Sequence, residues 1–330
     1  MKSVVCLVIW GRVNNIKNTH LIFIFNKYII QKIMKNNQNK LGFSLIELSI
    51  VILVIGLLVL GITKGSTIIK KSKITSAQSL TRSSPVASID ALSFWIESTM
   101  DNSFEEGQDV DTALGAAGTI DIWNDINPQE TSPKNAIQNT PLHKPRYIQN
   151  GINGLPSVNF DGNSDVAANA DRLIVSTVKS LGMFNSDHEI FIVYQTRVSD
   201  GIPFLLSGAG EVVEHYELHV DNVTGQLRYI SAPTSSSNIL GATPLSPHIA
   251  SARVQNNTNI TRVDGVDGNP VTLVSRSIVA GDLLIGVRSN NTLPLEGDIG
   301  EIIIFDRALK VSEREDVEKY LSAKWGIKLQ

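Results

Sequence analysis

The chain of 330 residues has a single cysteine, Cys6. That excludes any disulfide within it, so the fold must be held by a buried core. Residues 1–42 contain no Asp or Glu, against seven Lys or Arg. The remainder holds 22 basic and 32 acidic side chains, a net charge of −10 with histidine neutral. This balance lacks the basic patch or stripe on which nucleic-acid binding rests, so no nucleic-acid partner is expected. A phosphate loop, a dinucleotide fingerprint, the HExxH zinc motif and a Ser-His-Asp order are also missing. No internal repeat recurs at a fixed period.

What is present is an apolar run from Phe43 to Ile62, interrupted by one carboxylate, Glu47. Twenty helical residues at ~1.5 Å each span about 30 Å, the thickness of a bilayer core. A carboxylate inside such a span costs roughly 2.5–3.5 kcal/mol on insertion scales, so it needs a partner and a purpose. Gly56 and Gly61 are not four apart, so no GxxxG pairing motif is available. Helical spacing continues through Ile62, Ile68, Ile69, Ile74 and Leu80, with Lys64, Lys70, Lys71, Lys73, Gln78 and Arg82 between them. Ser83-Ser84-Pro85 reads as the stop, because a proline disfavours helix in the residue before it.

Residues 40–62, with Gly42, Phe43 and Glu47 at their spacings, resemble the type IV prepilin family of pilus and type II secretion pseudopilus subunits. The resemblance implies that a prepilin peptidase cuts after Gly42 and methylates the new terminus at Phe43. It implies that Glu47 pairs with the terminal amine of a neighbouring subunit during filament assembly. Residues 1–42 are then the leader, 43–85 the pilin helix (membrane-spanning at 43–62) and 86–330 an exported domain. Translation is expected to start truly at Met34, which leaves a short polar leader. Lysines flank the run on both sides, so the positive-inside rule does not orient it. The resemblance alone places the later residues outside the inner membrane before assembly and on a periplasmic or cell-surface filament afterwards.

From Ala87 the texture changes to short β-rich runs separated by Gly, Asn, Asp, Ser and Pro. Strands are expected at 157–160, 189–196, 203–207, 216–220, 227–230, 249–254, 260–263, 271–274, 283–287 and 301–305, with 258–260 readable as loop. That pattern indicates an all-β sandwich. One helix closes the chain. Ser312 and Glu315 read as its capping box, with Val317, Tyr320, Leu321 and Trp325 on its apolar face, Asp316, Glu318 and Lys319 on its polar side, and Gly326 after it.

Across about 87–327 the chain resembles the concanavalin A-like, or laminin G-like, jelly roll, through Trp123-Asn-Asp125, Lys144-Pro-Arg-Tyr147, Ser312-Glu-Arg-Glu315 and Tyr320-Leu-Ser-Ala-Lys-Trp-Gly-Ile327 and, above all, through three longer segments. They are Ala91-Leu-Ser-Phe-Trp-Ile-Glu97, Gly151-Ile-Asn-Gly-Leu-Pro-Ser-Val-Asn-Phe-Asp-Gly162 and the block Gly297-Asp-Ile-Gly-Glu-Ile-Ile-Ile-Phe-Asp-Arg-Ala-Leu309. The fold expected is therefore mainly β: a long transmembrane pilin helix, then an antiparallel LamG-like sandwich with a short C-terminal helix packed on the sheet edge.

Candidate sites in this domain are few. His215, Glu217 and His219 would share one face of a strand, and all three are legitimate zinc ligands. Alternate strand residues lie about 6.5–7 Å apart, too spread to close easily on one ion. Calcium is a property of some relatives of the fold. Asp161, Asn163, Asp165 and Asp171 in one loop, and Asp264, Asp267 and Asn269 in another, are the candidates, although turns are built of such residues in any case. Glu296, Asp298 and Glu301 are the only acids on a strand suited to glycoside hydrolysis, with Glu301 out of phase. No metal, cofactor or enzymatic activity is expected. The expected function is a minor pilin or pseudopilin displaying its domain for adhesion or for carbohydrate or protein recognition; the alternatives are a structural pilus or secretion-pseudopilus component with no ligand and, behind it, a membrane-anchored glycan-active enzyme. Its partners would be prepilin peptidase, other pilins, the assembly machinery and a carbohydrate or surface-protein ligand.

Overall fold

The computed structural model describes residues 44–108, 118–162, 169–176, 181, 183, 186–208, 216–230, 236–273 and 281–330, with side chains omitted at 60–67 and 236. The chain divides into two compact units, Met1–Gly65 and Ser66–Gln330. Helix α1, Leu45–Arg82, contributes to both and ends where Pro85 predicts.

The second unit is built on two antiparallel sheets. The nine-stranded sheet contains β1 (Leu92–Glu97), β4 (Arg146–Ile148), β5 (Ser157–Asp161), β7 (His188–Thr196), β12 (Pro247–Gln255), β13 (Thr258–Val263), β14 (Val266–Asp267), β15 (Val271–Thr272) and β17 (Glu296–Phe305). The eight-stranded sheet contains β2 (Ile122–Trp123), β3 (Ala136–Ile137), β6 (Leu173–Val175), β8 (Phe204–Gly208), β9 (Glu217–Asp221), β10 (Gln226–Ile230), β11 (Ser236–Leu240) and β16 (Leu283–Ile285). Strand β17 pairs with β7 along one side. Its other side is shared end to end, by β5 at Glu296–Ile299 and by β1 at Glu301–Phe305.

Side chains alternate across a strand, and both faces of the central strands are buried. On β7, Ile190, Ile192 and Tyr194 enter the core between the sheets, while Phe191 and Val193 face outward into a second cluster. On β17, Ile302 and Ile304 point inward, and Ile303 and Phe305 outward. This accounts for the unbroken apolar text of residues 302–305.

Helix α2, Val311–Trp325, covers that outward face, packing Val317, Tyr320, Leu321 and Trp325 with Trp95, Phe191 and Phe305. The expected position of the helix on a sheet edge is thus corrected: two-sided strands leave a whole apolar face needing a lid. The last turns of α1 join the same cluster through Ala77 and Leu80.

The cap of α2 also differs from expectation. Glu313, not Glu315, accepts from the Lys310 N–H, at 2.8 Å, and Arg307 clamps the same carboxylate with two bonds. Ser312 lies inside the first turn. Gly326 closes the helix in the left-handed conformation at φ 64°. Glu318 is not a solvated residue: it is buried and paired with Arg262 at 2.7 Å.

Candidate functional site

Three places hold the side chains capable of chemistry. The first is the start of α1. The Ser44 hydroxyl accepts from the Ile46 N–H at 3.3 Å, and Glu47 Oε2 accepts from the Ser44 N–H at 3.1 Å. This is a reciprocal helix cap, and a carboxylate there also suits the positive end of the helix dipole. The cap was readable as Ser44-Leu-Ile-Glu47, a local role that the expected assembly contact of Glu47 left out of view. Gly42, Phe43 and Met34 lie outside the described residues. Every apolar side chain from Leu45 to Val59 is exposed, Leu45 to 87%. Among the described residues no helix is long and apolar enough to cross a membrane. Side chains are not described at 60–67, and the apolar run in the sequence continues to Ile62.

The second is a buried ionic knot beneath α2. Lys324 Nζ donates to Glu97 Oε2 at 2.7 Å and to Glu301 Oε2 at 2.9 Å, with all three side chains fully inaccessible. Glu301 also accepts from Trp95 Nε1, Trp325 Nε1 and the Tyr320 hydroxyl. Glu97 is filled by the Thr99 N–H and hydroxyl, the Met100 N–H and the Ser103 hydroxyl. Burial, the largest single influence, would raise the Glu97 carboxyl, but the Lys324 charge together with the hydrogen bonds from Lys324, Thr99 and Ser103 outweighs it and holds Glu97 below its ordinary range. Burial would likewise lower Lys324, and Glu301 and Glu97 raise it instead. With every oxygen donated to, the knot is built to hold structure.

Strand β17 reaches this knot through a bulge. Its register against β7 shifts between Ile299 and Glu301, so Gly300 is the extra residue. The shift returns Glu301 to the outward face that Asp298 occupies, which corrects the phase expected from simple alternation. Neither acid is spare. Asp298 is held by Arg197 at 2.7 and 3.0 Å and by Ser157 and Asn159. Glu296 is half-buried at the start of the strand.

The third is the outer face of the eight-stranded sheet. Leu218 and Val220 of β9 enter the core, so Glu217 and His219 face out. Cross-strand register lines up Phe204, His219, Arg228 and Asn238. The His219 ring stacks on Phe204 with centroids 4.7 Å apart, and the Arg288 guanidinium lies 5.4 Å from the Phe204 ring centre. Arg288 Nε donates to Glu217 at 2.8 Å. Burial drives the His219 pKa down to about 4; Arg228 and Arg288 add to the fall and Glu217 opposes it. The imidazole is therefore neutral at pH 7. Its Nδ1 is buried and has no hydrogen-bond partner among the described residues.

Of the suggested zinc set, Glu217 is engaged by Arg288, and His215 lies outside the described residues. Among the described residues no group of three or more His, Cys, Asp or Glu is placed to hold a metal ion.

The two acidic loops behave differently. Asp171 Oδ2 accepts from the Asp161 N–H at 3.0 Å, and burial, reinforced by the Asp161 charge, lifts Asp171 to about 7. Asn163 and Asp165 lie outside the described residues. In the other loop Asp264 binds His248 Nδ1 at 2.7 Å and the Ile249 N–H at 2.9 Å. Asp267 pairs with Arg262 at 3.0 Å, and the Asn269 carbonyl accepts from the Ser237 hydroxyl at 3.0 Å. Every described Phe, Tyr and Trp is buried, so no described ring is open to stack on a ligand.

Residues 37–63 match the prokaryotic N-terminal methylation motif. The chain carries a type IV pilin-like processing signal. The motif implies processing by a prepilin peptidase and assembly with other pilins. No curated protein matches the chain.

Solved structures similar to it include a Trypanosoma rangeli sialidase in complex with sialic acid, at 14% identity and a TM-score of 0.47, covering 71% of this chain and 33% of that one. They also include the CBM40 of a Ruminococcus gnavus IT-sialidase bound to alpha2,6 sialyllactose, at 15% identity and a TM-score of 0.34, covering 41% of this chain and 82% of that one. The chain thus spans only a third of the trypanosomal sialidase. The expectation that the protein is not an enzyme is corrected by these neighbours, several of which are sialidases. At such identities and scores neither catalysis nor a ligand passes to this chain. The concanavalin A-like or laminin G-like label is not what these neighbours carry; the two antiparallel sheets of the structure support a β-sandwich.

Proposed function

We propose that the protein is a pilin-like subunit whose β-sandwich serves recognition, with carbohydrate as the leading ligand class. Residues 43–62 cross the inner membrane before assembly, prepilin peptidase cuts between Gly42 and Phe43, and Phe43 becomes the methylated terminus. Glu47 neutralises the terminal amine of a neighbouring copy. Residues 86–330 form the exported head, of LamG-like kind. So bulky a head suits a low-copy or tip position in a pilus or secretion pseudopilus. The observation that carries this reading is the acid-bearing apolar stem, whose apolar side chains from Leu45 to Val59 are exposed. Such a surface requires lipid or other stems around it.

N-terminal sequencing and mass measurement of the mature protein test it. A methylated phenylalanine at position 43 is expected, and a mature protein that retains residues before Phe43 overturns the reading. The burial of every described aromatic ring favours a second reading of the head alone, a structural cap without ligand. Full-length protein in detergent applied to a glycan array separates the two: selective binding supports recognition, and uniform silence supports the cap.

A further inference from the structure

The loop of residues 241–246 runs from β11 in one sheet to β12 in the other. The Gly241 and Ala242 N–H groups both donate to the Gly225 carbonyl, between β9 and β10, at 3.1 Å. Gln195 Nε2 donates to the Leu245 carbonyl at 2.8 Å, and the Leu245 N–H reaches Thr196 Oγ1 at 3.4 Å. Ala242 belongs to the core between the sheets, so the loop closes one end of that core. It does so under strain. Leu245 is exposed yet held at φ 66°, a left-handed conformation that a residue with a bulky side chain avoids.

The remaining fastening is a buried histidine. His248 Nδ1 lies 2.7 Å from Asp264 Oδ2, and Nε2 lies 2.9 Å from the Thr243 carbonyl oxygen. A carboxylate and a carbonyl only accept, so both bonds are made together only when both ring nitrogens carry protons. Asp264, from the turn between β13 and β14, is itself fixed by the Ile249 N–H at 2.9 Å. Tyr194 of β7 is the other titratable group facing the ring, with ring centres 5.9 Å apart and its hydroxyl buried without a partner among the described residues. Burial pulls His248 down, but the bond and charge of Asp264 and the Thr243 carbonyl outweigh it and hold His248 above 6.5. Once Nε2 loses its proton, its lone pair faces the Thr243 carbonyl and repels it. The exposed Thr243 hydroxyl, 3.1 Å from Nε2, is then the group able to donate. One proton thus separates two hydrogen-bonding arrangements of the loop.

We propose that residues 241–246 form a strap locked by protonated His248 and released as pH rises, opening the end of the core that Ala242 closes. The device belongs to the head and does not rest on the membrane-spanning stem. Its sign follows from the second proton, which the folded head binds more tightly than the unfolded chain. The lock is complete below about pH 6.5 and is lost as pH rises through the higher folded value.

Hydrogen exchange of the full-length protein in detergent, read by mass spectrometry at about pH 6 and about pH 8.5 and corrected for intrinsic rates, tests the strap. Protection over 241–247 should fall several-fold at the higher pH, and residues 302–305 of β17 should lose distinctly less. His248→Gln, which cannot titrate, should abolish the difference. Should that variant not fold, the imidazole resonance of His248 in the unaltered protein decides, because it should titrate over the range in which the loop loosens. Equal protection of 241–247 at both pH values overturns the strap. So does a loss at 302–305 as large as that at 241–247, which would report unfolding of the whole head. A His248 titration below 6.5 overturns the lock.

Discussion

Lys324 lies between two glutamates with no access to water, and each carboxylate takes further donors from the strands and α2. Removing the one cation would leave two buried negative charges uncompensated. Lys324→Met is therefore expected to destabilise the head by roughly 3–5 kcal/mol, read as a shift in urea midpoint. Because Glu97 is held below its ordinary value, its contribution is present at neutral pH and fades as pH falls from about 4.5 through its lowered folded value. Glu189 has the opposite sign. Burial raises it to about 7 from 4.5, against the pull of a bond from the Leu309 N–H and of Arg253 and Arg314. Between those values the folded chain keeps a proton that the unfolded chain has released, so stability should fall as pH rises from about 4.5 to 7, by roughly 3 kcal/mol. Glu189→Gln should flatten that slope; denaturation midpoints at pH 5 and pH 8 that still differ as in the parent protein would count against it.

Gly300 shows what an element needs and what the letters conceal. A Cβ built there would lie 2.5 Å from Trp325 Cη2, so the bulge in β17 is the seat of the α2 tryptophan. Gly300→Ala should cost about 1–3 kcal/mol through overpacking and should weaken the near-ultraviolet dichroism of the buried tryptophans. An unaltered spectrum and midpoint would show that α2 is seated elsewhere. The main strands were legible because apolar residues alternate or run unbroken in them, as in 189–196 and 301–305. Short strands such as Ile122–Trp123, Ala136–Ile137 and Arg146–Ile148 were not, since two or three residues carry no period. Ser236–Leu240 was missed because serine and asparagine on its face read as turn. Thr258–Ile260, read as possible loop, pairs with β12 because Asn259 and Thr261 are buried through cross-sheet hydrogen bonds. The ionic knot was hidden for another reason: Glu97, Glu301 and Lys324 are far apart in sequence, and a single lysine near the end of a helix looks like surface.

On the scale of the whole molecule, an exposed apolar stretch from Leu45 to Val59 precedes a sandwich that buries its apolar side chains. Glu47→Ala should leave cleavage nearly intact and sharply reduce incorporation into filaments, measured as the ratio of sheared to cell-retained protein. Normal incorporation would remove Glu47 from the assembly role. The far end of α1 meets the head through side chains as well as through the chain. Gln78 Nε2 donates to the Thr99 carbonyl at 2.8 Å and to Asp101 at 2.9 Å, and the Thr81 and Tyr320 hydroxyls lie 3.3 Å apart. Tyr320 in turn donates to Glu301. A pull on the stem would thus be shared by the central strand and the closing helix before it strained the short link at Ser83–Pro85. The last turns of α1 are fastened to the sandwich by three side-chain bonds and not by the backbone link alone.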